Sequence, residues 1–194
     1  MKVIGLTGSI GMGKSAVATM LRRLHVPVFD ADAAVHVLQG PGGALLPPIE
    51  ARFPGTTGPK GVDRIELGAR VLGNTAELRA LERIVHPAVG RMRERFLRAN
   101  RSRRIVVLDV PLLYEKGSAK GMAAVIVVSA PGIVQRHRVL RRKGMTEQKF
   151  RQILARQVPD RIKRRRADHI IETARTKGRT FADVRRLVAC LRAR

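Results

Sequence analysis

Gly8-Ser9-Ile10-Gly11-Met12-Gly13-Lys14-Ser15 is the stretch on which the reading of this chain turns. It matches G-x-x-x-x-G-K-[ST], a phosphate-binding loop, and that pattern carries weight only between a strand and a helix. Both flanks supply the setting. Val3-Ile4-Gly5-Leu6-Thr7 is a short apolar run of buried-strand length, and Val17, Met20, Leu21 and Leu24 recur at helical spacing. Gly8, Gly11 and Gly13 let the backbone approach a ligand closely. Successive N–H groups then line a concavity suited to phosphate oxygens, and the following helix turns its positive end toward it. Lys14 is expected to reach the β- and γ-phosphates of a nucleotide, and the Ser15 hydroxyl to sit on Mg²⁺.

Working outward, residues 26–32 read as a second strand ending in Asp30 and Asp32. Residues two apart share a face of an extended segment. In open α/β sheets ligands gather at the carboxyl ends of strands, where the loop after strand one also lies. One of the two acids is therefore expected to serve chemistry and the other to cap the next helix. Asp30 is taken as the cap and Asp32 as the chemical group. Residues 105–110 and 125–129 are further apolar, β-branched runs without polar alternation, the pattern of a parallel sheet covered on both faces. Asp109, at the end of the first of these, resembles the acid that holds Mg²⁺ in proteins with this loop. Residues 169–172 read as the last strand and residues 182–193 as an amphipathic closing helix.

Between residues 39 and 61 the chain is rich in Gly and Pro, with a short helix at 45–53. Residues 63–72 and 75–100 read as helices capped by Asp63 and Thr75, and Pro87 is expected to kink or break the second. Residues 40–100 are thus expected to form a mostly helical insertion beside the sheet. Residues 136–166 are crowded with Arg and Lys around Gly144 and suggest a lid, about 138–166, over a nucleotide. Arg138 and Arg142, four apart on one helix face, are the pair expected to clamp phosphate. No internal repeat or long linker divides the chain, so 1–194 is read as one domain.

The 194 residues suffice for one sizeable core. One cysteine, Cys190, excludes an intrachain disulfide, and no apolar run reaches membrane-spanning length, so a cytoplasmic protein is expected. The net charge of +24 admits anionic small-molecule substrates, a nucleic acid, or surface charge without a partner. An aromatic content of 3% argues against a base-stacking platform. The only asparagines, Asn74 and Asn100, lie in no Asn-Lys-x-Asp base-reading motif. A small-molecule kinase suits the whole pattern. Another P-loop kinase of nucleoside monophosphate type, or an ATP-dependent nucleic-acid-binding protein, stays open on these residues alone.

One family carries the same ordered set: Gly5-Leu6-Thr7-Gly8 into the loop, Asp30-Ala31-Asp32, Gly61-Val62-Asp63-Arg64, His86-Pro87, Pro111-Leu112-Leu113-Tyr114-Glu115, Gln135 with Arg138 and Arg142, Gln157, and Ala167-Asp168. Along nearly its whole length the chain resembles the dephospho-CoA kinases. The resemblance implies a three-layer P-loop kinase fold: five parallel strands with helices on both faces, a helical acceptor region and a lid. It implies ATP and Mg²⁺, and transfer of a phosphoryl group to the ribose 3′-hydroxyl of dephospho-CoA. By matched position Asp32 is the catalytic base, and Gly8 with Gly11, Met12, Gly13, Lys14, Ser15 and Ala16 forms the ATP loop. Lys14 and Arg138 join Asp32 in catalysis, and Arg142 contacts the nucleotide. Arg64, His86, Leu113 and Glu115 fall on the acceptor side, while Ser15 and Asp109 fall on the metal. The partners implied are small molecules, with no specific nucleic acid and no membrane. The chain departs from the family at Ser9, Ala16, Ala123-Ala124 and Thr173-Ala174, where Gly, Thr, a strand-leading Asp and Asn-Gly are usual. The last departure leaves the adenine contact unassigned.

Overall fold

The computed structural model describes residues 1–115 and 117–193. It divides into two compact units, one of Met1–Phe29 with the chain from Asn100 onward, the other Asp30–Ala99.

In the first unit, β1 (Lys2–Thr7) leads through the glycine loop into α1 (Lys14–Arg23). β5 (Ile105–Asp109), β6 (Ala124–Ser129) and β7 (His169–Glu172) follow the second unit in the chain. With β2 (Val28–Asp30) they make a five-stranded parallel sheet in the order β2-β5-β1-β6-β7. β1 is central, paired to β5 with Ile4 opposite Val107 and to β6 with Leu6 opposite Ile126. Side chains alternate faces along a strand, and β6 shows it. Ala124, Ile126 and Val128 join a core built with Val17 and Leu21 of α1 and with Val184 and Leu191 of α9 (Lys177–Ala193). Val125 and Val127 point the other way and pack with Leu113. Covering on both faces is why these strands are apolar throughout.

Three helices join β6 to β7: α6 (Gly132–Leu140), α7 (Glu147–Ala155) and α8 (Asp160–Arg165). Arg136 braces α6 to α7 through Glu147, Nε to Oε2 at 2.9 Å. α6 ends at Leu140, so Arg142 lies past it and does not share a helical face with Arg138. The α9 helix begins five residues before the amphipathic pattern does, with Thr180 buried in its first turns.

The second unit holds α2 (Ala31–Gln39), α3 (Leu46–Arg52), a short hairpin of β3 (Thr57–Gly58) and β4 (Gly61–Val62), α4 (Arg64–Val71) and α5 (Thr75–Ala99). The β2 strand stops at Asp30, whose carboxylate accepts from the Ala33 amide and caps α2. Asp30 and Asp32 therefore do not share an extended face: one is the cap, the other sits in the helix's first turn. Asp63 caps α4, accepting from the Ile65 and Glu66 amides. At α5 the cap is Asn74, which accepts from the Ala76 and Glu77 amides, and not Thr75. Proline also behaves differently from the sequence expectation. The α5 helix runs unbroken through Pro87 over 25 residues. One missing N–H is outweighed where the same helix packs on α2, α3 and α4. Leu38, Ile49, Phe53, Leu67, Val71, Ala80 and Ala88 form that core. No helix among the described residues is long and apolar enough to cross a membrane.

Candidate active site

The glycine loop is held open by its backbone. Gly11 and Gly13 take φ of 77° and 91°, the left-handed region that side chains disfavour. At Gly13 there is no room either, since a Cβ there would sit 2.9 Å from Thr173 Oγ1. Ser9 is accommodated without such strain, because among the described residues only His25 combines a side chain with positive φ. Lys14 opens α1 and extends to Asp109 at the end of β5, Nζ to Oδ1 at 2.5 Å. The Asp109 side chain is only 3% exposed. Ser15 and Ala16 are exposed in the first turn of α1. Thus Lys14, at the start of α1, and Asp109, at the end of β5, meet at the sheet's carboxyl edge, where β1 and β5 are neighbours, and Ser15 follows Lys14 in the chain.

The loop is also held from outside by side chains. Gln135 of α6 donates from Nε2 to the Ile10 carbonyl at 2.7 Å. Gln157, between α7 and α8, accepts from the Ile10 amide at 3.1 Å. Thr173, just past β7, donates its hydroxyl to the Met12 carbonyl at 2.6 Å. Arg138 donates to Thr173 Oγ1 at 2.9 Å and to the Thr173 carbonyl at 2.6 Å, and reaches the Gly11 carbonyl at 3.5 Å. Arg138 thus stands against the glycine loop, whereas Arg142 is exposed. Sequence reasoning gave Thr173 no part, and gave the two glutamines none beyond the resemblance. Uncharged amides inside a stretch of Arg and Lys were the available signal.

The Pro111–Glu115 segment is more structural than its motif suggests. Leu113 is 0% exposed and belongs to the core with Val125 and Val127, so its side chain faces no solvent. Glu115 accepts from the Val158 amide at 2.8 Å and pairs with Lys163, Nζ to Oε1 at 2.9 Å. Lys163 is completely buried. Burial pushes the Glu115 carboxyl up, but the Lys163 hydrogen bond, the backbone amides and the lysine charge together hold it below the usual range. The pair therefore fastens α8, and the α7–α8 link that carries Gln157, to the turn after β5.

Asp32, Arg64 and His86 belong to the second unit. Asp32 is exposed on α2, and His36, one turn on, lies on the same face. Arg64 at the start of α4 donates to His36 Nδ1 at 2.5 Å. His36 was not singled out from sequence, yet it links Arg64 to the helix face that carries Asp32. His86 is exposed on α5, with Nε2 3.9 Å from Glu82. These residues present a carboxylate, a guanidinium and an imidazole to solvent. The first unit presents a lysine and an arginine around glycine-loop amides.

Set against known proteins, this arrangement has clear relatives. The dephospho-CoA kinase family model matches residues 2–177. A dephospho-CoA kinase of Novosphingobium aromaticivorans is 63% identical over 190 residues, covering 98% of this chain and 94% of that protein. A crystal structure from Thermus thermophilus superposes with a TM-score of 0.82 at 31% identity, covering 98% and 97% of the two chains. A dephospho-CoA kinase structure from Campylobacter jejuni, at 21% identity and a TM-score of 0.67 over 98% and 97%, shares the fold. Matched along nearly its full length in sequence, and with Lys14 and Asp109 poised at the strand ends, the chain belongs to the dephospho-CoA kinase family.

Proposed function

We propose that the protein transfers the γ-phosphoryl group of ATP to the ribose 3′-hydroxyl of dephospho-CoA, giving CoA and ADP. Family membership carries the choice of acceptor. The Lys14–Asp109 contact beside the glycine loop is the observation that carries the chemistry. In this reading Lys14 leaves Asp109 for the β- and γ-phosphates when nucleotide binds. Gly8 and the run from Gly11 to Ala16 hold the phosphate chain, and Arg138 and Arg142 add positive charge. Phosphoryl transfer spreads negative charge over the transferring group, so positioned cations supply most of the catalysis. Asp32 accepts or orients the proton of the attacking hydroxyl. Arg64 and His86 bind the acceptor, and Leu113 and Glu115 support its side of the site by shaping the turn after β5. The region 40–100 is the acceptor-binding part and about 138–166 the lid of a single kinase domain.

Mg²⁺ fits the residues present. A P-loop magnesium takes few protein ligands and completes its shell with phosphate oxygens and water. Ser15 is exposed in the first turn of α1, and Asp109 offers a carboxylate beside Lys14. Bound there, the ion neutralises charge on the β- and γ-phosphates. The single cysteine supports a cytoplasmic setting. The net charge of +24 suits two polyanionic substrates. A coupled assay for ADP tests the reading: turnover should require dephospho-CoA, and shikimate, gluconate or nucleoside monophosphates should not replace it. Equal turnover with any of those acceptors would overturn the assignment.

A further inference from the structure

We propose that Gln135 and Gln157 are positioning residues that set the conformation of the phosphate loop by gripping Ile10 from two points, α6 and the α7–α8 link. The inference rests on the phosphate loop being the ATP site. Ile10 has one backbone donor and one backbone acceptor, and both are taken by side-chain amides. The Ile10 carbonyl accepts from Gln135 Nε2 at 2.7 Å, and the Ile10 amide donates to Gln157 Oε1 at 3.1 Å. Backbone chemistry fixes the direction of each bond, so neither amide is free to flip. Gln135 must donate and Gln157 must accept.

The supports differ. Gln135 is 6% exposed, on the turn of α6 before Arg138. Gln157 hangs on the link whose next residue, Val158, is tied to Glu115 and through it to buried Lys163. A cavity of about 400 Å³ lies alongside, lined by Ser9, both glutamines and Asp160. The α6 helix and the α7–α8 link are thereby tied to one residue of the loop. When Ile10 is held, the Gly11 and Gly13 conformations beside it keep their amides convergent before nucleotide arrives. Preorganised donors of this kind lower the ordering cost of binding.

Bond polarity makes the test sharp, because one substitution should act oppositely at the two positions. In Gln135→Glu a carboxylate replaces the donor and faces a carbonyl. In Gln157→Glu a carboxylate keeps the acceptor at nearly the same shape. ATP affinity is measured by calorimetry on the full chain, with kcat and both KM values from the coupled assay and Tm as the folding control. Gln135→Glu and Gln157→Leu should each weaken ATP binding about tenfold or more, the scale of one lost buried hydrogen bond. Gln157→Glu should recover most of that loss. The change should fall on KM for ATP and leave KM for dephospho-CoA near wild type. Gln135→Met, which also lacks the donor, serves if Gln135→Glu does not fold. Equal behaviour of the two Glu variants, or a loss that falls on both substrates alike, overturns the proposal. A wild-type chain that binds no ATP would instead overturn the phosphate-loop reading beneath it.

Discussion

Around Ile10, Gly11 and Met12, side chains from α6, the α7–α8 link and the end of β7 hold the backbone of the phosphate loop. Around Asp32 the arrangement differs: Asp32, Arg64 and His86 are exposed groups on helices, with Arg64 donating to His36 Nδ1 and His86 lying near Glu82. In the proposed reading the loop side binds through backbone amides, which work only in a fixed array, and side chains fix that array. In the same reading the Asp32 side works through side-chain tips, which reorient at small cost on a firm helix. The side-chain scaffold is concentrated where the proposed ligand would be read by main chain.

The two sides should separate cleanly in kinetics. The largest effect is expected at Asp32. Asp32→Asn should lower kcat by about 10²–10⁴-fold, the scale of a general base, with ATP affinity near wild type by calorimetry. Near-normal turnover would remove Asp32 from that role. Lys14→Met should lower kcat/KM for ATP by about 10²–10³-fold, as for loss of one preorganised charge-stabilising donor. Here the damage should include nucleotide binding, and an unchanged Kd for ATP would erase the contrast between the sides. Arg64→Ala should raise KM for dephospho-CoA about tenfold, the loss of one charged hydrogen bond, while KM for ATP stays put. A matching rise in KM for ATP would show that the two sides are not independent.

The smallest effect is a pH dependence on the loop side. The folded Glu115 carboxyl lies below its ordinary range. A depressed acid adds stability above its unfolded value, about 4.3 for glutamate, and that stability is lost as pH falls through the folded value. The double variant Glu115→Gln/Lys163→Met removes both charges and keeps the volume. Denaturant unfolding between pH 7 and pH 3 should show it losing less stability on acidification than wild type. Equal losses would mean that the Glu115–Lys163 pair has no share in the acid response.

Much of this was legible without coordinates. The glycine motif between an apolar run and a helical stripe pointed to β1, the loop and α1, because local spacing alone produces that unit. Asp30 and Asp63 could be read as caps, since a cap is a contact over two or three residues. Nearby alternatives defeated the same reasoning at Asn74, where the true cap precedes Thr75 by one position. Leu113 and Glu115 fall on the acceptor side by the resemblance alone, and nothing local in the sequence speaks of their packing. Burial sends one into the core and ties the other to a lysine 48 positions on.

By itself the amino-acid order determined the chemistry on offer: a phosphate loop, acids after two strands, a basic helical stretch and a family pattern. Each of these lives in a few consecutive residues, where backbone geometry and side-chain type suffice. The strand order β2-β5-β1-β6-β7, the seating of Arg138 on Thr173 and the double grip on Ile10 were decided only in three dimensions. They join residues 35 to 147 positions apart. Contacts that distant form because burial and hydrogen-bond satisfaction are settled over the whole unit at once.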